Sequence, residues 1–101
     1  MALPPRDHRI TLQAAAAITR RHREAHVAGV KSGAFDKDQV LALLGQSGCV
    51  GLRIHFGQEE DGSPTLLLTG IDAEGADITT TVLEEWWPCP PYCGAANALN
   101  T

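Results

Sequence analysis

The sequence predicts an α+β domain in which two N-terminal helices pack on a three-stranded antiparallel sheet, followed by an extended Pro/Cys-rich C-terminal tail. Three observations lead there. The stretch Gly48–Asp77 combines strict two-residue alternation, a polar turn and a second apolar run, which is the pattern of a β-hairpin. Two stretches with helical composition precede it, and a β-prone run follows. The resulting order of helix, helix, strand, strand, strand lacks the alternation that a parallel sheet with crossover helices requires.

Residues 1–10 contain two prolines and alternating charges with no apolar period, and read as a flexible lead-in. Thr11 is a plausible N-cap, and Leu12 to about Val27 is rich in the strong helix formers Ala, Arg, Gln and Glu. The expected buried stripe of this helix centres on Ile18 and Ala25, and its alanines permit close backbone approach. Two glycines within Gly29–Ala34 end it. Asp36 stands three residues before Gln39, a capping-box spacing, with Phe35 placed to staple onto Val40; a second helix through Val40, Leu41, Leu43 and Leu44 follows.

In the hairpin, Val50, Leu52, Ile54 and Phe56 share one face of the first strand and are the expected inner face. Gly51, Arg53, His55 and Gly57 share the other. Gln58–Pro64 is the turn. Thr65–Ile71 is the partner strand, whose Leu66-Leu67-Leu68 run suits a central position. Asp77–Leu83 supplies a third strand through Ile78, three threonines and Val82. The organisation is thus a single domain over residues 11–87 and an extended tail over 88–101, since the run from Pro88 to Gly94 can hold neither a helix nor a central strand.

The composition, 44% hydrophobic and 20% charged, is that of a folding chain rather than a disordered one. Its net charge of −4 is unevenly spread: six bases against two acids give +4 up to Lys31, and two bases against ten acids give −8 thereafter. Such a split can be satisfied within the fold, between copies of the chain, or by an anionic partner, another protein among them. Net acidity argues against a nucleic-acid partner, and Arg20, Arg21 and Arg23 point around more than half the circumference of a helix. The start has no apolar targeting core, and no stretch is long enough to span a membrane, which predicts a cytoplasmic protein without a membrane partner. An odd count of three cysteines fits reduced packing thiols better than a disulfide framework.

Gly48-Cys49, then Gly51-Leu52-Arg53-Ile54 and Phe56-Gly57, together with Cys89-Pro90-Pro91 and Cys93, resemble small, uncharacterised bacterial proteins. The resemblance covers Phe35 to Leu99 and implies a bacterial source, with no activity attached. In those relatives an aromatic residue often stands at the position of His55, which implies that this histidine is not an obligatory ligand.

No stretch matches a catalytic motif, so the expectation is a non-enzymatic interaction or structural module that needs no cofactor. The adjacent Trp86 and Trp87 in an aromatic-poor chain point to an interface. The expected self-association places Trp86, Trp87, Tyr92 and Leu99 of a C-terminal arm in pockets of a neighbouring copy, with Glu84 and Glu85 just before the arm near its basic first helix, which carries Arg20 and Arg21. The alternative is a small zinc, iron or redox module on Cys49, Cys89 and Cys93, because the last two have the spacing of paired metal ligands. A fourth ligand is not fixed by local spacing. Glu59-Glu60-Asp61-Gly62 and the run Asp72–Asp77 read as solvated acidic turns rather than calcium loops.

Overall fold

Caps and turn chemistry set the elements in a computed structural model that describes all of residues 1–101. Helix α1 spans Leu12–Ala25, with the Thr11 hydroxyl accepting from the Ala14 N–H. Strand β1 (Ser32–Ala34) is followed by helix α2 (Lys37–Leu44), which Asp36 caps by accepting from the Gln39 N–H at 3.1 Å. Strands β2 (Gly51–Gln58), β3 (Pro64–Ile71) and β4 (Asp77–Leu83) come next, and β5 (Trp87–Cys89) follows. No helix is long and apolar enough to cross a membrane.

The α+β class and the antiparallel order β2-β3-β4 match the sequence reading, with β3 central. Register runs from Gly51 opposite Ile71 to Gln58 opposite Pro64 without interruption, whereas the β3–β4 pairing shifts between Leu68 and Gly70. The acidic runs serve as turns. Asp61 Oδ1 accepts from the N–H and hydroxyl of Ser63, and Asp72 Oδ1 accepts from the N–H groups of Glu74 and Ala76.

The chain divides into two compact units, and the division cuts through the stretch 11–87. The first comprises Met1–Pro5 and Ala34–Trp86, hence α2 and the three-stranded sheet. Its core is Leu43, Leu68 and Ile71, with Leu43 wholly buried. The turn after α2 comes so close to the sheet that a Cβ on Gly70 would stand 2.8 Å from Cys49 Sγ and 3.2 Å from Gln46 Nε2, which explains a glycine there. Met1 packs against Gly75, whose φ of 82° lies in the left-handed region and whose missing side chain leaves room for the Met1 carbonyl.

The second unit comprises Arg6–Gly33 and Trp87–Thr101. It holds α1, so only α2 of the two helices belongs to the unit containing the sheet. The half-buried residues of α1 are Ala15, Ala16, Thr19 and Arg23, while Ile18 and Ala25 are exposed; the stripe is rotated from its expected position. Arg23 accounts for the rotation, because its guanidinium donates to the carbonyl oxygens of Leu99 (2.6 Å) and Thr101 (2.8 Å).

The C-terminal segment is not one extended run. Trp87–Cys89 pairs with β1 as a separate two-stranded sheet, and Lys31 N–H donates to the Cys89 carbonyl at 2.7 Å. A turn follows, closed by the Tyr92 N–H donating to the Pro88 carbonyl, and a disulfide joins Cys89 to Cys93. Prolines exclude a helix and a central strand from this stretch, yet they leave a short edge pairing and a cross-linked turn open to it.

Candidate interaction surface

Strand β2 keeps the predicted alternation, but its faces are reversed. Gly51, Arg53, His55 and Gly57 are half-buried, whereas Leu52, Ile54 and Phe56 are 40%, 51% and 90% exposed, with Val50 exposed beside them. Two local causes combine. Side chains of β3 lie over the glycines, since a Cβ on Gly57 would meet Leu67 Cδ1 at 2.8 Å and one on Gly51 would meet Ile71 Cδ1 at 3.1 Å. Helix α2 meanwhile lies against β3 and β4 and leaves the apolar row of β2 uncovered.

Between those glycines sits a polar cluster that ties the three strands together. Arg53 Nη1 donates to Asp77 Oδ1 (2.6 Å) and to the Gly75 carbonyl (3.1 Å). His55 Nε2 lies 3.1 Å from Asp77 Oδ2, and the buried Thr69 hydroxyl is 3.3 Å from Asp77 Oδ1. The Arg53 hydrogen bond holds the Asp77 carboxyl below the usual carboxylate range. Thr69 Oγ1 also stands 3.4 Å from His55 Nε2, so hydroxyl and carboxylate meet the same ring nitrogen. A hydrolytic triad needs the imidazole to bridge nucleophile and acid through its two different nitrogens. The cluster is therefore a clamp across β2, β3 and β4, and the sequence separation of 24 residues between Arg53 and Asp77 hides it from local pattern reading.

At the other end of the sheet the Thr65 hydroxyl donates to Glu84 Oε2 at 2.9 Å. That bond holds Glu84 low, while a hydrogen bond to Glu84 and repulsion from it push the neighbouring Glu59 up.

The residues singled out from the sequence fall into several places. Trp87, Tyr92 and Leu99 are exposed in the second unit, as are Arg20 and Arg21 on α1; Trp86 is half-buried at the end of the first. Cys89 and Cys93 are bonded to each other rather than free, so neither offers a thiolate, and Cys49 is a free thiol that donates to the Gly51 carbonyl. No three His, Cys, Asp or Glu side chains are gathered so as to hold a metal ion. His22 Nε2 lies 3.2 Å from the Val30 carbonyl, and its ring stacks on His26 with centroids 4.5 Å apart.

The hairpin geometry explains why the apolar row went unrecognised as a surface. Alternation shows which residues share a face; α2 lies on the apolar row's own side of the sheet, by Gly70 opposite Leu52, but over β3 and β4, so the row itself stays open. The glycines flanking Arg53 and His55 were the available signal, since they make room for β3 side chains on that side. The chain matches no known protein family, no curated protein and no solved structure.

Proposed function

We propose that the chain is a non-enzymatic interaction module that self-associates. One observation carries this reading: an unbroken apolar row, Val50 just before β2 and Leu52, Ile54 and Phe56 along it, stands exposed in a chain whose buried apolar core is small. A contiguous exposed apolar strip on a small protein is the usual mark of an association surface. The proposal includes the C-terminal segment as a further contact, with Trp87, Tyr92 and Leu99 meeting the Arg20 and Arg21 face of a neighbouring copy. Light scattering over a concentration series tests it. The full chain is expected to gain mass with concentration, Phe56→Ser to weaken that gain, and the double variant Trp87→Ala, Tyr92→Ala to report on the C-terminal contact. A chain that stays monomeric throughout overturns the reading.

A second reading, a thiol–disulfide exchange module, is favoured by the Cys89–Cys93 disulfide. It borders a hollow of about 190 Å³ lined also by Lys31, Gly94 and Asn100, where a lysine cation would favour a thiolate after reduction. Equilibration against defined glutathione mixtures tests it. A disulfide that resists reduction under every mixture excludes this role.

A further inference from the structure

The backbone of β2 carries the surface one step further. Glu59 N–H donates to the Ser63 carbonyl at 2.8 Å, so Glu59 and Ser63 form a hydrogen-bonded pair at the mouth of the hairpin. Hydrogen-bonded pairs recur at every second residue of an antiparallel ladder. Counting back along the uninterrupted register, Gly57, His55, Arg53 and Gly51 direct their N–H and C=O groups at β3. Leu52, Ile54, Phe56 and Gln58 therefore direct theirs to the opposite side. That side is an open edge, because β2 ends the order β2-β3-β4. The residues with unpaired edge groups are thus the same ones that bear the exposed apolar side chains.

Resting on the self-association reading, we propose that β2 pairs antiparallel with β2 of a second copy about a two-fold axis at Ile54, giving a continuous six-stranded sheet. Residues directly opposite in an antiparallel pair point to the same face. With Ile54 facing Ile54 of the other copy, Leu52 faces Phe56 and Phe56 faces Leu52, so the two apolar rows merge into one. The outward N–H and C=O groups of those residues then find partners in the same register. Along Gly51–Gln58 the strand has no proline, no lysine and no bulge to guard its free edge, and its inward-pointing Arg53 is neutralised by Asp77. Charge favours a copy over a charged partner. The strand's one permanent charge, Arg53, is already matched by Asp77, and all twelve acidic residues of the −4 chain lie outside the strand, so two copies meet at β2 without like charges facing each other.

The test uses the full chain carrying Cys49→Ser, which removes its one free thiol. Mild oxidation of Ile54→Cys in that background is expected to give a covalent dimer, because Cα atoms of a hydrogen-bonded pair lie about 5.5 Å apart, within disulfide reach. Gln58→Cys, equally at the edge, is expected to stay unlinked, since its counterpart would be about 25 Å away. Ile54→Pro removes two intermolecular hydrogen bonds per dimer without touching the pairing to β3, and should weaken association on the order of thirtyfold. A chain that dimerises but fails to link at Ile54→Cys, links equally at Gln58→Cys, or grows beyond a dimer overturns the strand pairing while self-association stands. A chain monomeric at all concentrations overturns both.

Discussion

Arg53 on β2 and Asp77 at the start of β4 are joined across the central strand, with Nη1 2.6 Å from Oδ1. The bond lowers the Asp77 pKa, and a carboxyl lowered on folding contributes stability that is complete above its unfolded value and lost as pH falls through the folded one. Urea midpoints should therefore hold from neutral pH down to about pH 4 and decline below it. Asp77→Asn should lower the neutral-pH midpoint and flatten that acid limb. An unchanged profile would remove the clamp from the account of stability.

Glu59 has the opposite sign. Its pKa is raised by the hydrogen bond to Glu84 and by repulsion from it, so its share of stability is present at low pH and lost as pH rises from the ordinary glutamate value through the raised one. Glu59→Gln can donate to Glu84 at every pH. Its melting temperature should exceed that of the parent at pH 7 and match it more closely near pH 4, by thermal denaturation at both.

Truncation should separate the core from the strip. Leu43 is fully buried and Leu68 is 4% exposed, so Leu43→Ala and Leu68→Ala should each cost about 2–5 kcal/mol. Leu52→Ala and Ile54→Ala, on the open row, should each cost less than about 1.5 kcal/mol when measured in dilute solution. Denaturant titrations of the four variants at one low concentration decide this; equal losses would put the apolar row back in the core.

Gly70→Ala adds one methyl group where Cys49 Sγ and Gln46 Nε2 already press close. Overpacking of this kind costs about 1–3 kcal/mol. Pairing it with Cys49→Ala, which vacates the space, should recover most of the loss in a double-mutant cycle. Additive losses would show that the turn after α2 does not rest on Gly70.

Asp36→Ala should cost about 0.5–2 kcal/mol by leaving the Gln39 N–H without its side-chain acceptor. Equilibrium unfolding followed by circular dichroism measures it. Asp36→Asn, which can still accept, should lie close to the parent.

Local signals in the sequence determined the two caps at Thr11 and Asp36, the hairpin with its turn, the third strand beginning at Asp77, and the α+β class. Each depends on neighbours a few residues apart, through backbone hydrogen bonding and side-chain period, and so is written in order along the chain. Which face of β2 lies inward was decided only in three dimensions. Alternation is symmetric under exchange of faces, and the outcome turned on α2 landing over β3 and β4, on Leu67 and Ile71 folding across Gly57 and Gly51, and on Asp77 reaching Arg53. The pairing of β5 with β1 was likewise decided by tertiary structure: the strands lie more than 50 residues apart, and no local spacing selects a strand partner at that distance.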